Sequence, residues 1–436
     1  MKFVHTGDLH IGKIVNGFSM IEDQRYILKQ VYEISRREKA DALVLAGDIY
    51  DRAIPPADAV VLFNDFLTDM VRAGIPVLMI SGNHDSPERL GFADAILEEE
   101  GIYIAGVYKE ELKKVEIADT YGNVSFVLMP FVKPASVGAK TSGEAVGNML
   151  SMEKGRKEDI RGMDNTDKEN TDKDNSEKDN ADKDNAEKDN AEKDNIDKDD
   201  MDMDNKNKEG EDGIRRVLVT HYFVTDQGKE PELSDGETTI HVGGLDNVEA
   251  SLFDGFDYVA LGHIHKPQKI GEREVYYAGA PLAYSFSEAG QEKGINLVKM
   301  GKKGEVTMRR IPLKPLHEMR RIRGKLQELM QPEVVEAAQA EDYIRAELTD
   351  EEELIDPIGT LRSVYPNVMQ ILLTKNERKE NMDYISRPEE KKKSIPQLFL
   401  GFYEMIRGEK PDEGRMKVVE EAAKEAEAKE VEGMDV

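Results

Sequence analysis

Short apolar segments that end in polar turns are the feature of this sequence that most constrains its fold. Three lie near the N-terminus, at MKFVHTGD (1–8), DALVLAGD (41–48) and IPVLMISGNHD (75–85). Each predicts a buried β-strand followed by a turn. Residues 20–39 and 57–73, which lie between them, have apolar positions at helical spacing. This alternation of strands and helices is typical of an α/β fold with parallel strands.

Four later segments have the same character, at VSFVLMPF (124–131), RVLVTHYFV (216–224), FDYVALGHIH (256–265) and EVYYAGAP (274–281). We expect them to extend the same layered core, as one sheet or as two facing sheets. Open α/β sheets bind ligands beyond the carboxyl ends of their strands. The polar residues that end these segments should therefore meet at one edge.

The remainder of the chain divides into units of different composition. At 436 residues the chain is too long for one ordinary domain, so two or three are expected. From about residue 300 the pattern predicts a small α/β unit, with a strand at 305–313, a helix at 318–330, a strand at 342–349, a helix opened by Asp356 and Pro357, and a strand at 367–374. A wide apolar helical stripe follows at 398–406, and then a weaker amphipathic helix at 412–432.

Residues 151–213 are a low-complexity segment. An imperfect (D/E)-K-D-N-(A/S) repeat runs from Thr171 to Ile196, and the whole segment has no aromatic residues and contains 24 acidic and 13 basic side chains. Such a composition cannot bury enough apolar surface to offset the entropy of ordering the chain. We therefore predict a disordered insertion inside the catalytic domain. A calcium-binding tract and a polyanion mimic are the functional alternatives.

The composition narrows the chemistry. The absence of cysteine excludes disulfides, thiolate zinc sites and cysteine nucleophiles, so any metal must have nitrogen and oxygen ligands. The sequence has no N-terminal signal features and no stretch apolar enough for a membrane span, so we expect a cytoplasmic protein without membrane association. The net charge of −28 argues against a DNA-coating protein. It argues less against an enzyme that meets phosphate through bound cations.

Five polar motifs follow the predicted strands: G-D-L-H (7–10), G-D-I-Y-D (47–51), G-N-H-D (82–85), T-H-Y (220–222) and G-H-I-H (262–265). One such motif alone is weak evidence, because polar residues often end strands to form turns. The set is strong, since it contains five of the eight histidines of the chain. It predicts a centre built from Asp8, His10, Asp48, Asn83, His84, His221, His263 and His265.

Such a centre suits phosphodiester hydrolysis, which needs a nucleophilic hydroxide and relief of negative charge on the phosphoryl oxygens. Two divalent metals about 3.5–4 Å apart supply both. Asp8 and His10 would point to the same side of an extended segment and suit one ion, and the two histidines of the last motif can reach different ions. Asp48 is the natural bridging carboxylate, and Asn83 offers a neutral carbonyl oxygen. Imidazole-rich sites favour manganese, iron or zinc over magnesium.

His84 directly follows a ligand and is expected to point elsewhere. It is the candidate general acid, or the hydrogen-bond donor to the leaving oxygen, with Asp51 or Asp85 as its orienting partner. The alternatives are a further metal ligand and a core imidazole. His5 and His317 are expected to be structural or surface residues. His241 is expected to lie in a loop.

In this order the motifs resemble those of the calcineurin-like metallophosphoesterase superfamily. G-D-I-Y-D-R, F-D-Y-V-A-L-G-H-I-H-K-P-Q and Y-Y-A-G-A-P-L-A-Y-S-F-S-E resemble its SbcD-type exonuclease subunits. The resemblance covers nearly the whole chain apart from 151–213. It implies a layered αββα nuclease domain at 1–150 and 214–299, a small α/β capping domain at 300–376 and partner-binding helices at 394–436.

The resemblance also implies the metal ligands and their roles. One manganese ion would be held by Asp8, His10, Asp48 and His265, and the other by Asp48, Asn83, His221 and His263. His84 would be the catalytic histidine. The implied activity is that of a DNA nuclease subunit, a 3′-to-5′ exonuclease on duplex ends and an endonuclease on single strands and hairpins.

The implied assembly is a homodimer within a heterotetramer that contains an SbcC-type coiled-coil ATPase, active in DNA replication, repair and recombination. The residues at 394–436 would dock the coiled coil of the ATPase. Residues 57–73 or 88–99 are the candidate dimer helices by position.

Two other functions compete with this one. The first is a two-metal phosphodiesterase or phosphatase for a small or phosphoprotein substrate, which the acidic charge favours. The C-terminal third argues against it, because such an enzyme needs neither a capping unit nor partner helices. The second is a scaffold with a decayed site that clamps the ATPase on DNA, which the presence of all eight site residues disfavours.

Overall fold

The computed structural model describes residues 1–152, 214–234, 246–373, 403, 411–412 and 414–419. Its strands are β1 Lys2–Thr6, β2 Ile14–Val15, β3 Phe18–Ser19, β4 Ala42–Leu45, β5 Val77–Ile80, β6 Ile102–Ala105, β7 Lys113–Asp119, β8 Gly122–Leu128, β9 Arg215–Thr220, β10 Phe223–Thr225, β11 Asn247–Glu249, β12 Tyr258–Leu261, β13 Gln268–Lys269, β14 Val275–Tyr277, β15 Gly294–Met300, β16 Val306–Pro312, β17 Met319–Gly324, β18 Tyr343–Leu348 and β19 Val368–Leu373. Its helices are α1 Ile21–Arg37, α2 Ala57–Arg72, α3 Pro87–Leu90, α4 Asp94–Glu98, α5 at 142–152, α6 Leu326–Leu329, α7 Pro332–Val335 and α8 Pro357–Arg362.

The first sheet has six strands in the order β16-β15-β1-β4-β5-β6. Strands β1, β4, β5 and β6 run parallel, and β15 pairs antiparallel with β1. All four residues of β4, and all four of β5, are buried apolar side chains. Strands consist of apolar residues throughout when both faces of their sheet are packed against other parts of the protein.

The second sheet also has six strands, in the order β13-β14-β12-β9-β8-β7, and its central strands β14, β12, β9 and β8 are parallel. The two sheets pack face to face, with the ring of Phe3 in the first sheet 5.3 Å from that of Phe126 in the second. Helices α1 and α2 cover the outer face of the first sheet, and α5 packs on the second. The predicted layered αββα core is therefore confirmed.

The segment predicted to be the capping domain follows the two sheets and forms a small unit, for which that name is kept below. Its strands β17, β18 and β19 form one sheet, with a core that includes Leu329, Ile344, Leu361 and Tyr365. Three further residues of this domain join the core under the first sheet: Met319, Tyr343 and Met369. This unit is thus packed against the core of the first sheet.

Two expectations for this region are corrected by the structure. The strand predicted at 305–313 as part of the capping unit is β16, which forms a hairpin with β15 at the edge of the first sheet. The helix predicted at 318–330 begins instead as β17, whose six residues pair in parallel with those of β18. Only the short helix α6 occupies the end of that segment.

Two regions with predicted roles lie mainly outside the described residues. These are the repeat at 151–213, of which only residues 151–152 are described, and the partner-binding helices at 394–436. Of the described residues, 349–351, 373, 403, 411–412 and 414–419 belong to a second compact unit, in which residues 414–419 are helical. Among the described residues, no helix combines the length and apolarity needed to cross a lipid bilayer.

Candidate metal centre

The eight residues predicted from the sequence lie together at the carboxyl ends of parallel strands. Three strands of the first sheet lead to five of them: β1 to Asp8 and His10, β4 to Asp48, and β5 to Asn83 and His84. Two strands of the second sheet lead to the others: β9 to His221, and β12 to His263 and His265. Parallel strands of both sheets therefore present their ends to one site, as expected for α/β folds.

The backbone of the site is strained. Asp8, His10, Asp48 and His263 have positive φ angles of 51°, 44°, 49° and 98°. Such conformations cost roughly 1–3 kcal/mol each and persist only where surrounding contacts enforce them. Here the Asp8 N–H donates to Gly47 O and the His10 N–H donates to Asp48 O, both at 3.0 Å. The loops after β1 and β4 therefore hold each other in place.

This strain corrects the expectation that Asp8 and His10 share one side of an extended strand. Strand β1 ends at Thr6, and both residues have left-handed backbone. The same holds for the last motif, where β12 ends at Leu261 before His263. Tight turns, rather than strand alternation, aim these side chains.

Two glycines allow the loops to approach closely. A Cβ atom on Gly82 would lie 2.1 Å from Asp48 Oδ1, and one on Gly262 would lie 2.0 Å from Ala46 O. Both distances are much shorter than a van der Waals contact. Neither the buried Asp48 carboxylate nor the main chain at Ala46 can move aside, so a side chain is excluded at both glycines. The glycines of the G-N-H-D and G-H-I-H motifs thus make room for the centre itself.

One group of ligand atoms comes from Asp8, His10 and His265, which approach within 4.8 Å of one another. The Nε2 atoms of His10 and His265 are 3.2 Å apart. Among the described residues, Asp8 Oδ2 is buried and has no hydrogen-bond partner. Burial raises the pKa of Asp8 to about 6, and burial lowers the pKa of His10 well below its usual value.

A second group surrounds Asn83. Its Oδ1 atom lies 3.0 Å from His221 Nε2 and 3.0 Å from His263 Nδ1. The other ring nitrogen of His221 donates to Ala46 O at 2.8 Å, because a carbonyl oxygen only accepts. The Nε2 atom of His221 is thereby directed into the centre.

Asp48 lies between the two groups. Its Oδ2 atom is 3.7 Å from His10 Nε2 and 3.4 Å from His221 Nε2. Burial acts to raise the pKa of Asp48, but the nearby imidazoles, His221 foremost, hold that pKa well below its usual value. Burial acts to lower the pKa of His221, but the Asp48 carboxylate overcomes it and raises that pKa to about 9.

The donor set fits two divalent cations. It consists only of nitrogen and oxygen atoms, and it contains a carboxylate placed between two clusters. The unpartnered Asp8 oxygen and the facing imidazole nitrogens are groups that a cation would satisfy. Imidazole with carboxylate suits manganese, iron or zinc.

His84 lies at the open side of the centre. Its side chain is 43% exposed, its Nδ1 atom is 3.0 Å from the main-chain oxygen of Asp51, and its Nε2 atom is 4.0 Å from Asp48 Oδ2. The carboxylate of Asp85 instead accepts main-chain N–H groups of Ile49, Tyr50 and Gly82. Of the two expected orienting partners, only Asp51 contacts the imidazole, through its carbonyl. His84 also approaches His10 and Asp48 closely enough to be a ligand.

Three buried residues that contact the ligands or their loops were not predicted from the sequence. Gln24 contacts the loop after β1, and Glu288 and Lys293 contact His265. Glu288 ends the Y-S-F-S-E stretch of the family resemblance, which was the only sequence signal available for it. Gln24 had no such signal, since its contacts depend on how α1 packs.

The three histidines predicted to lie outside the centre differ in position. His5 is fully buried, and its ring contacts Tyr258 Oη at 3.0 Å and Leu261 O at 3.2 Å, which is a structural role. His317 lies at the start of the capping domain and contacts Asp23. His241 is outside the described residues.

Comparison with known proteins gives matches over most of the chain. The sequence model of the calcineurin-like phosphoesterase family matches residues 1–267, and one described as the Type 5 capsule protein repressor C-terminal domain matches residues 315–406. A relative from Staphylococcus epidermidis, named as the SbcD subunit of an SbcCD nuclease, is 29% identical over 404 residues, 92% of each chain. A relative of the same name from Staphylococcus saprophyticus is 29% identical over 383 residues, 85% of this chain and 84% of the relative.

Among solved structures, a dimetal phosphatase from Danio rerio aligns with 71% of this chain and 95% of its own. The TM-score is 0.36 and the sequence identity 13%, values too low to carry a functional argument.

Proposed function

Because this chain belongs to the calcineurin-like phosphoesterase family, we propose that it is a metal-dependent DNA nuclease subunit working through the centre described above. Its likeness to SbcD nuclease subunits spans nearly its full length, which makes it a phosphodiester hydrolase of that type. The observation that carries the proposal is the position of Asp48 between two clusters of imidazole, carboxylate and amide ligands.

In this proposal one ion is held by Asp8, His10, Asp48 and His265, and the other by Asp48, Asn83, His221 and His263. The two sets share Asp48, whose Oδ2 atom lies close to a histidine of each set. Manganese is the proposed metal, since it accepts this mixture of ligands. Two bound metal ions would activate a water molecule as the nucleophile and would relieve negative charge on the phosphoryl oxygens.

His84 is the proposed general acid. When the imidazole is doubly protonated, Nδ1–H donates to the Asp51 carbonyl and Nε2–H remains for the departing sugar oxygen. The side chain of His84 is 43% exposed, so a substrate can reach the ring from solvent. Asp48 Oδ1 accepts a hydrogen bond from the His84 main-chain N–H at 2.9 Å. The proposed bridging carboxylate therefore also fixes the main chain of the proposed general acid, His84.

The proposed substrate and partner follow the naming of the relatives. Those proteins are named as the SbcD subunit of an SbcCD nuclease. We propose that this chain likewise degrades duplex DNA ends from 3′ to 5′ and nicks single strands and hairpins. We also propose that residues 394–436 dock the coiled coil of an SbcC-type ATPase. The family match at 315–406 supports this, since it runs from the capping domain into that segment.

A homodimer is the proposed assembly of this chain. The two predicted regions leave large apolar side chains in solvent: Val61 on α2 is 55% exposed, Phe92 81% and Ile96 71%. An apolar groove of 420 Å³ lies beside them, lined by residues that include Phe63, Leu67 and Phe92. Exposed apolar surface of this kind commonly marks a protein interface.

A phosphodiesterase or phosphatase with a small or phosphoprotein substrate is the second candidate. The acidic net charge of −28 favours it, because the chain as a whole repels polyanions. The family match at 315–406 argues against it, since a small-substrate hydrolase has no need of a capping domain.

The deciding experiment supplies purified protein with manganese and tests two substrates, linear duplex DNA and bis-p-nitrophenyl phosphate. Asp8→Asn and His84→Gln variants serve as controls for the centre. Cleavage of both substrates by the wild type, and loss of both in Asp8→Asn, is expected. If the small diester is cleaved while DNA stays intact even with the ATPase present, the second candidate is correct.

A further inference from the structure

We infer that the capping domain positions the ligands of one metal site only, the site of Asp8, His10 and His265, which we call the cap-side site. The other site, of Asn83, His221 and His263, is supported from within the nuclease domain. This inference rests on the proposed two-metal centre. Two separate sets of contacts carry it, one ending at His10 and one at His265.

The first set begins at Asp23 in the first turn of α1, whose side chain is 1% exposed. This carboxylate accepts three hydrogen bonds from the capping segment. His317 donates its main-chain N–H and its Nδ1–H, each at 3.0 Å, and the Tyr343 hydroxyl donates at 2.7 Å. A buried carboxylate satisfied in this way fixes the start of the capping domain on α1.

The next residue of α1 continues the connection. Gln24 is 2% exposed, and its Nε2 group donates to His10 O at 2.7 Å. Its Oε1 atom accepts the Gly12 N–H at 2.9 Å. Gln24 thus holds the strained loop that carries His10, while its neighbour Asp23 holds the cap. One turn of helix therefore joins the capping domain to a metal ligand.

The second set begins at Arg321 on β17. Its guanidinium donates to Phe286 O, at 2.8 Å from Nε, on the short turn Phe286–Glu288. Glu288, at the end of that turn, is 1% exposed and accepts from His265 Nδ1–H at 3.4 Å. A carboxylate on the distal nitrogen of a metal-binding histidine fixes its tautomer and ring orientation.

Lys293 reinforces this second set. It is 5% exposed, and its Nζ atom contacts Glu288 Oε2 at 2.5 Å and His265 O at 3.3 Å. Burial acts to raise the pKa of Glu288, but its contacts with His265 and Lys293 lower that pKa to about 2. Both the backbone and the ring of His265 are therefore held by one buried ion pair, which the cap holds through Phe286.

The other metal site has different supports. His221 donates to Ala46 O at 2.8 Å, and the His263 N–H donates to Asp8 Oδ1 at 2.8 Å. Both partners belong to the loops that follow β4 and β1, which are parts of the nuclease domain. Neither hydrogen bond involves a residue of the capping domain. The loop after β1 is also the loop that Gln24 holds, so the capping domain reaches this site one step further away than it reaches His10.

The boundary between the capping domain and the two sheets also contains a cavity. A cavity of 410 Å³ lies between them, lined from the nuclease side by residues that include Glu288 and Lys293 and from the cap side by His317 and Met319. A shift of the capping domain into or away from this space would move His317 and Arg321 together. It would then alter the cap-side site while leaving the other site intact.

The experiment measures manganese binding to the full chain by calorimetry and by electron paramagnetic resonance. Two variants weaken the connections without changing a ligand, alone and together. Tyr343→Phe removes one of the three hydrogen bonds to Asp23, and Arg321→Ala removes the guanidinium that donates to Phe286 O. Each has a matched control within the capping domain. Tyr365→Phe removes a hydroxyl that donates to Leu329 O inside that domain, and Arg323→Ala removes an arginine from the same strand.

The double variant should bind one manganese equivalent about 10- to 100-fold more weakly, the usual effect of losing such supporting contacts, and the other unchanged. The controls should bind both as the wild type does. Adding His265→Ala should weaken the cap-side site further, but by a smaller factor in the double variant than in the wild type, whereas adding His263→Ala should weaken the remaining site.

Several outcomes would overturn the inference. If the double variant melts as a folded protein and binds both manganese ions equally weakly, the capping domain does not select one site. The same conclusion follows if it binds both ions as tightly as the wild type does. If the double variant does not fold, Glu288→Gln tests the same selectivity, and unchanged binding there would also refute it. A wild type that binds fewer than two ions would contradict the proposed centre itself.

Discussion

His10 and His265 face each other across the candidate centre, with their Nε2 atoms 3.2 Å apart and the Asp8 carboxylate beside them. The Nδ1–H of His265 is directed to Glu288, so in the neutral ring Nε2 has a lone pair. Two ring nitrogens this close, next to a buried carboxylate, form a strong binding site for a cation.

Manganese should therefore raise the unfolding temperature of the protein. A ligand at about 100 times its dissociation constant stabilises a fold by roughly 2.7 kcal/mol. In Asp8→Asn this shift should shrink strongly. Without metal, however, that variant should be as stable as the wild type or more stable at pH 7, by up to about 3 kcal/mol, because burial raises the Asp8 pKa to about 6 and the amide imitates the protonated acid.

Thermal melts in manganese measure the stabilisation by the metal, and melts in EDTA compare the metal-free wild type with metal-free Asp8→Asn. The sign follows from the raised pKa: the unfolded carboxyl loses its proton near pH 4 and the folded one only near pH 6, so ionisation of Asp8 destabilises the metal-free fold as pH rises through that window. A variant that melts far below the wild type in EDTA would contradict this account.

His84→Gln should lower the turnover of duplex DNA by roughly 100- to 10,000-fold, the usual range for a general acid. Glutamine keeps a hydrogen-bond donor near the Asp51 carbonyl but supplies no proton to the leaving oxygen. Bis-p-nitrophenyl phosphate should lose less, since its leaving group needs little protonation. Turnover of the two substrates is compared with the manganese stoichiometry. Loss of one bound ion would identify His84 as a ligand instead.

His5 should make the protein sensitive to acid. Burial lowers its pKa to about 3, and its ring donates from Nε2 to Leu261 O while accepting the Tyr258 hydroxyl. Below pH 6.5 the unfolded histidine binds a proton that the folded one does not, so stability falls by about 1.4 kcal/mol per pH unit until pH 3.

Urea denaturation of the wild type and His5→Gln between pH 7 and pH 4 measures this effect. The variant should be less stable at pH 7, because a buried hydrogen-bond network is altered. Its stability should fall less steeply with acid than that of the wild type. Parallel curves for the two proteins would contradict the role assigned to His5.

Phe92→Glu and Val61→Glu should convert a dimer into a monomer without affecting the fold, because both side chains are largely exposed on the single chain. A buried unpaired carboxylate at an interface is strongly unfavourable. Light scattering after size exclusion measures the mass. Ile14→Glu, an equally exposed apolar position elsewhere, is the control. A mass unchanged in both test variants would place the interface elsewhere.

Replacement of residues 153–213 by a short Gly/Ser linker should leave manganese-dependent diesterase activity within about twofold of the full chain. Shortening a loop changes its closure entropy only slowly with length. The strands before and after the segment, β8 and β9, are parallel neighbours in the second sheet, and α5, which packs on that sheet, lies in the connection that the variant keeps. Loss of soluble protein on deletion would show that the segment is structural.

The strands and most of the site were predictable from sequence because the signal there is local. An apolar run such as Leu43–Leu45 followed by Gly47 and Asp48 specifies a buried strand and its turn without reference to the rest of the chain. The alternation in Met319–Gly324 was weaker, since its charged residues fit an amphipathic helix equally well. Pairing with β18 decided between the two, and pairing is a tertiary property.

The supports of the centre could not be predicted for a related reason. Gln24 and Glu288 lie 14 and 23 residues from the ligands that they contact, and their contacts arise only when α1 and a short turn pack against the loops. The left-handed backbone of Asp8 was equally hidden. Sequence rules reserve that conformation for glycine, and only the hydrogen bonds of a completed fold enforce it on aspartate.

The proposed ligands lie far apart along the chain, from the loop after β1 to the loop after β12. Each ion takes ligands from both sheets, and the last ligands, His263 and His265, follow β12 late in the nuclease domain. A polypeptide that stops before residue 258 therefore contains a complete ligand set for neither ion. If the proposed ligand sets are correct, we therefore expect a chain that ends before β12 to bind neither metal ion with its full set of ligands and to lack metal-dependent diesterase activity.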